Sequence, residues 1–201
     1  MSLSESIQLI FRHNATTPDG ASPIPFPRNT STTQGISAPD SYNLLDLAQM
    51  LRPRIIVEIG TNMGYSMICL SQGSPSSRCF TCDTQDLSKY RIATQPNCIY
   101  VVGNVVELLK SVNEPIDFAF IDGDHSYEGI HLDLVSLLPR MLKRSILAVH
   151  DIHEINMSDR SRPIERVVSE LLLDTGWDYN FAPRAQGFVE PSQLGCFSHE
   201  G

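Results

Sequence analysis

The sequence predicts an α/β fold: a mostly parallel sheet flanked by helices in the Rossmann-like, doubly wound manner, with an antiparallel edge strand. Three observations carry this. Short apolar runs at 55–59, 79–82, 98–102, 116–121 and 145–150 alternate with amphipathic stretches, which is the pattern of βαβ units around a parallel sheet. The first run, Ile-Ile-Val-Glu-Ile, leads through Gly60 and Gly64 into a helical stretch, placing a tight turn at the carboxyl end of a strand, where open α/β sheets bind ligands. Two late segments, 177–181 and 195–198, read as closing strands in a hairpin-like edge.

Taken in order, residues 1–40 read as an irregular extension or lid, because 12–40 is rich in Pro, Thr, Ser, Asn and Gly without apolar periodicity. Residues 41–201 read as one domain. Its first helix carries Leu44, Leu47, Ala48 and Leu51 on one face and ends at Pro53. Further helices are expected near 64–71, 86–93, 104–112 and 127–142; the last has Ile130, Leu134, Leu137, Leu138 and Met141 at helical spacing, with Pro139 able to kink or end it. A final helix starts near Pro163 and runs through Ile164, Val167, Val168, Leu171 and Leu172 to Gly176.

Composition narrows the function classes. The chain has 201 residues, enough for one domain with a substantial core. With 15 Lys and Arg against 23 Asp and Glu it carries a net charge of −8, which argues against a nucleic-acid partner, since phosphate binding rests on clustered cations. No apolar run approaches the ~20 residues of a membrane span, and the N-terminus lacks a secretory pattern. Five cysteines, an odd number, read as reduced thiols of a cytoplasmic protein. Cys79-x-x-Cys82 has no second pair, and on a strand its side chains would point to opposite faces, so metal binding there is not expected.

Two clusters carry the chemistry. In the first, Glu58 interrupts an apolar strand and needs nearby donors, Gly60 and Gly64 admit close approach of backbone to a ligand, and Asn62 stands where a dinucleotide loop would have its middle glycine. Asp83, nineteen residues past Gly64, ends the second strand, where a carboxylate can accept both ribose hydroxyls. Gly103-Asn104 follows the third strand; Asn104 is equally well read as a helix N-cap. In the second cluster, Asp122-Gly-Asp124-His125 ends the fourth strand and His150-Asp151 the fifth. Carboxylates converging there suit a hard divalent ion such as Mg²⁺. Glu128, in the first turn of the fourth helix, reads as structural.

The pattern Glu-x-Gly-x-x-x-Gly at 58–64 resembles motif I of the class I S-adenosylmethionine (SAM) methyltransferases, and Gly64-Tyr65-Ser66 resembles their catechol O-methyltransferase branch. Ile-Asp-Gly-Asp-His-Ser-Tyr-Glu at 121–128, followed by His150-Asp151, is similar to a group that includes sugar O-methyltransferases of antibiotic biosynthesis and cephalosporin-biosynthesis proteins. The resemblance, over about residues 40–155, implies a class I methyltransferase fold and methyl transfer from SAM to a hydroxyl of a small-molecule acceptor. It implies cofactor contacts from Glu58, Gly60, Asn62, Gly64, Tyr65, Ser66, Asp83, Gly103, Asn104 and Asp122. It also implies a divalent metal, Mg²⁺ in that family, at Asp122, His150 and Asp151. Here His150 departs from the family's Asp-Asn or Asp-Asp pair, and a nitrogen ligand tolerates softer ions. His125 falls at the position of the catechol enzymes' catalytic lysine, which makes His125, with Asp122, the candidate catalytic pair and His125 the general base. Methyltransferases of the group the chain resembles often assemble through such extensions, so the resemblance leaves a homo-oligomer open.

Three other readings stand beside this one. The same loop could serve a nicotinamide-dependent oxidoreductase, against which the missing second glycine weighs. A catalytically inactive SAM-binding module would explain the loop but not the crowding of Asp122, Asp124 and Asp151, which is costly without a cation. Metal-independent transfer using Asp122 and His125 alone is also compatible with the sequence.

Overall fold

The computed structural model describes residues 1–15, 36–90, 95–156, 158, 160–172, 175, 177–181 and 194–198. Its strands are β1 (Ile55–Ile59), β2 (Arg78–Asp83), β3 (Cys98–Val102), β4 (Ile116–Ile121), β5 (Met141–Val149), β6 (Asp178–Phe181) and β7 (Gly195–Ser198). They form one seven-stranded sheet in the order β3-β2-β1-β4-β5-β7-β6. The first five are parallel, while β7 runs antiparallel to β5 and β6 antiparallel to β7. The strand order reverses direction at β1 and β4, so their carboxyl ends flank the topological switch point.

Period-2 alternation divides the core into two layers. Ile55, Val57 and Ile59 face the side covered by α4 (Val105–Leu109), α5 (Tyr127–Leu137) and α6 (Pro163–Leu172). Ile56 faces the other side, covered by α1 (Leu3–Asn14), α2 (Ala38–Leu51) and α3 (Tyr65–Gly73). Cys79 and Cys82 fall in opposite layers, as strand geometry requires, and all five cysteines are free thiols. Among the described residues no helix is long and apolar enough to cross a membrane.

Four boundaries differ from the sequence expectations. The 1–40 stretch is not irregular throughout: Ser2 and Glu5 form a capping box, and Ile7 and Phe11, four residues apart, are buried against Leu44 and Leu47 of α2. Those signals, Ser-x-x-Glu followed by an i, i+4 apolar pair, are legible at residues 2–11. Residues 16–35, where a lid would lie, fall outside the described residues. The helix expected to reach 142 stops at Leu137; one 3₁₀ turn through Pro139 follows, and β5 begins at Met141. Proline cannot donate the bond that would continue the helix, and Met141 serves the core from a strand instead. β5 also bulges, since Ile116 pairs with Met141 but Phe118 with Ile146. Of the helix expected near 86–93, only a 3₁₀ turn at Ser88–Tyr90 is described, and α4 is shorter than 104–112.

Candidate active site

The β1–α3 loop hangs from the end of β2. The Gly60 and Thr61 amides both donate to the Cys82 carbonyl at 2.9 Å. The Asn62 amide donates to Asp83 Oδ2 at 2.9 Å, and the Gln85 amide to Asp83 Oδ1 at 2.9 Å. Asp83 therefore ties the loop to the strand end while keeping further lone pairs for a ligand. Gly60 has φ +96°, and a Cβ there would lie 1.9 Å from the Asp122 carbonyl oxygen. The neighbour that requires glycine at this position is thus the β4 backbone, not the ligand that the sequence suggests. Gly64 has φ +83° with open space where a Cβ would stand, so its requirement is the left-handed backbone alone.

Glu58 is fully buried beneath this loop. Ser66 at the start of α3 and Thr81 on β2 donate to its two oxygens, and Thr61 joins Thr81 through their hydroxyls at 2.6 Å. Burial, only partly offset by these hydrogen bonds, pushes its pKa up to about 8. It is consequently a neutral acid at pH 7 that locks the loop, the helix start and β2 together.

A cleft of about 990 Å³ opens above the loop, and Gly60, Asn62, Asp83, Gly103, Asn104 and Asp122 all line it. Glu58, Gly64, Tyr65 and Ser66, also expected at the cofactor, are not on its wall. Glu58, Tyr65 and Ser66 are buried, and Gly64 precedes α3. Asn104 caps α4, accepting from the Val106 amide at 2.8 Å, so the cap reading holds for its oxygen. Sequence reasoning missed Met63 and Asp133 on the same wall, which Asp124, expected at the β4 edge, also lines. Asp133 is buried on α5, and burial, then the charge of Asp124, pushes it up to about 7. Its signal is a carboxylate beside Leu134 on an apolar helical face.

At the ends of β4 and β5 a second group of side chains meets the cleft. His150 Nδ1 lies 3.4 Å from Asp122 Oδ1 and 3.2 Å from Asp151 Oδ2. His125 Nε2 lies 3.8 and 3.6 Å from the same two oxygens, and its Nδ1 bonds Glu154. Burial alone would raise the Asp122 pKa, but His125 and His150 outweigh it and hold the carboxyl well below its usual range. Contact with Asp122, opposed by burial and reinforced by the charges of Asp151 and Glu154, pushes His125 up to about 9. Burial lowers His150, yet Asp122, Asp151 and Asp40 hold it well above its ordinary value. Asp122, His125 and Asp151 each offer a ligand atom within 4.8 Å of the others, a grouping able to hold a metal ion. His150 Nδ1 is buried without a hydrogen bond, facing the same carboxylates. Two carboxylates with an imidazole from either side of them are a donor set that fits a divalent cation. The sequence expectation was His125 as the base and His150 as the ligand, whereas both rings share these carboxylates.

Residues 57–152 match the family model of a methyltransferase domain, and those residues span the glycine loop, Asp83, Asp122 and the His150-Asp151 pair. Over that stretch, just under half of the chain, the protein is similar to methyltransferase domains. A curated relative, the uncharacterized protein y4gI of Sinorhizobium fredii (strain NBRC 101917 / NGR234), is 29% identical over an alignment of 125 residues that covers 52% of this chain and 14% of the relative's length. Among solved structures, an O-methyltransferase from Bacillus cereus in complex with SAH superimposes with a TM-score of 0.69 at 17% identity, covering 98% of this chain and 92% of that one. The O-methyltransferase TomG from Streptomyces achromogenes, involved in tomaymycin synthesis and solved with SAM, gives 0.67 at 17% identity over the whole of both chains. At such identities the likeness is one of fold, a seven-stranded methyltransferase sheet with an antiparallel edge.

Proposed function

We propose that this protein moves the methyl group of SAM to a hydroxyl of a small-molecule acceptor, with a divalent cation. One observation supports the reading above others: Asp122 lines the 990 Å³ cleft and also belongs to the carboxylate–imidazole group. A cofactor in the cleft and an acceptor at the group would therefore meet at one residue. SAM supplies an electrophilic methyl group on a sulfonium, and a cation held by Asp122, Asp151 and an imidazole nitrogen would lower the pKa of the acceptor hydroxyl.

The chain's own residues position the reactants. With SAM in the cleft, Asp83 would accept from the ribose hydroxyls, Gly103 and Asn104 would flank the adenine edge, and the Gly60–Asn62 loop would face the methionine end. Glu58, Tyr65 and Ser66 support that loop from below. Orientation of this kind can remove a large part of a displacement barrier. Asp122, Asp151 and Glu154 push the His125 pKa up to about 9 in the present arrangement, so a base role for it requires these carboxylates to be neutralised.

Calorimetric titration with S-adenosylhomocysteine and with NAD, each with and without Mg²⁺ or Mn²⁺, tests the proposal. Binding of S-adenosylhomocysteine but not NAD, followed by transfer of labelled methyl from SAM to a phenol or sugar hydroxyl, is the expected result. No binding of S-adenosylhomocysteine under any metal condition would refute it.

A further inference from the structure

Asp40 stands far from the β5 end in sequence but touches it in space. It lies in the first turn of α2 and is fully buried. Its Oδ2 accepts from Ser37 Oγ at 2.7 Å and lies 3.3 Å from His150 Nε2. With Asp40 Oδ2 as the acceptor, Nε2 carries the hydrogen on this side of the ring. Phe120 meets the imidazole edge-on, with ring centroids 6.2 Å apart and planes at 76°. Held between these two neighbours, the ring turns its other nitrogen, Nδ1, toward Asp122 and Asp151 at 3.4 and 3.2 Å. That nitrogen is buried and makes no hydrogen bond.

We propose that Asp40 is a positioning residue that fixes the His150 ring with Nδ1 as a cation ligand, making the site a mixed nitrogen–oxygen one that favours a transition dication such as Mn²⁺ over Mg²⁺. The inference rests on the metal-dependent reading above. Its physical basis is the outer partner of a metal-bound imidazole: a carboxylate on the far nitrogen sets the tautomer and the ring orientation, and raises the basicity of the ligating nitrogen. Magnesium is content with oxygen ligands and water, whereas imidazole suits the transition ions.

The test is a Mn²⁺ and Mg²⁺ titration of the protein and its variants, with S-adenosylhomocysteine affinity measured on the same samples as a check on the fold. Asp40→Ala is expected to weaken Mn²⁺ binding roughly 10–100-fold while leaving S-adenosylhomocysteine affinity unchanged. Isosteric Asp40→Asn is expected to weaken it less, and His150→Asp, which exchanges one nitrogen donor for oxygen, to lower the Mn²⁺-to-Mg²⁺ affinity ratio. An Asp40→Ala protein that binds both ligands like wild type would overturn the inference. Should the alanine variant fail to fold, unchanged Mn²⁺ affinity in Asp40→Asn would overturn it equally. Wild-type protein that binds S-adenosylhomocysteine but no cation would remove the metal-dependent reading itself, and this inference with it.

Discussion

At the β1–β2 end of the sheet's carboxyl edge, the glycine loop is fastened by backbone amides to its neighbour: Gly60 and Thr61 to Cys82, Asn62 to Asp83. At the β4–β5 end the side chains do the fastening. There Asp122, His125, His150 and Asp151 are arranged by one another and by Asp40 and Glu154, which come from α2 and from the segment after β5. The first half is shaped mainly by local backbone geometry, with the Asp83 and Glu58 carboxyls as its side-chain anchors. The second is shaped by charge pairing between distant segments, and it depends on every partner being present. Asp151 even adopts φ +51°, a left-handed backbone that a non-glycine residue holds only when its surroundings fix it.

Substitutions should separate the halves. The largest expected effect is on turnover: Asp122→Ala or Asp151→Ala should reduce metal-dependent methyl transfer by roughly 10²-fold or more, measured as label from SAM, and full retained activity with retained metal dependence would count against the cation role. Next comes a contrast within the loop. Gly60→Ala forces a Cβ to within 1.9 Å of backbone and should cost roughly 3 kcal/mol or more in urea unfolding. Gly64→Ala meets no atom within 4 Å and should cost about 1–2 kcal/mol, the left-handed penalty alone. Asp83→Ala removes a charged acceptor from the loop and from the cleft, and should weaken S-adenosylhomocysteine binding about 10-fold, near 1.4 kcal/mol, without altering Mn²⁺ affinity.

A further effect concerns pH and is read as a slope. Glu58 has a folded-state pKa near 8 against an ordinary value of 4.5, so over that interval the folded chain binds a proton that the unfolded chain has released. Stability contributed by this group is complete below about pH 4.5 and is lost as pH rises toward 8. Glu58→Gln should flatten that decline in a series of unfolding curves; an unchanged slope would mean Glu58 is ionised in the folded protein.

The difference between the halves also explains what the sequence revealed. Gly60, Asn62, Asp83 and Gly103 can be placed at one cleft because strand periodicity and short connections fix where each strand ends. Asp122 and the His150-Asp151 pair are legible for the same reason, as terminal residues of neighbouring strands. Asp40 is not, because Ser37-x-x-Asp40 before an apolar helix reads as an ordinary helix start, and nothing local indicates that its carboxylate also reaches β5. Glu154 is hidden likewise in a segment without periodicity. The start of β5 is misread from sequence because Met141 fits the helical spacing that Leu134 and Leu137 establish, and only the tertiary pairing with Ile116 decides between them. Glu58 is recognisable as needing donors, but Ser66 and Thr81 are identifiable only once the strands are in register.

The measurement that bears most directly on the two halves meeting at Asp122 is a pair of titrations of Asp122→Asn, one with S-adenosylhomocysteine and one with Mn²⁺, beside wild type. The expected result is S-adenosylhomocysteine binding within about 10-fold of wild type, since the remaining cleft contacts persist, together with loss of Mn²⁺ binding. Wild-type Mn²⁺ affinity in the variant would contradict it, and would place the cation away from the residue where the cleft and the carboxylate–imidazole group join.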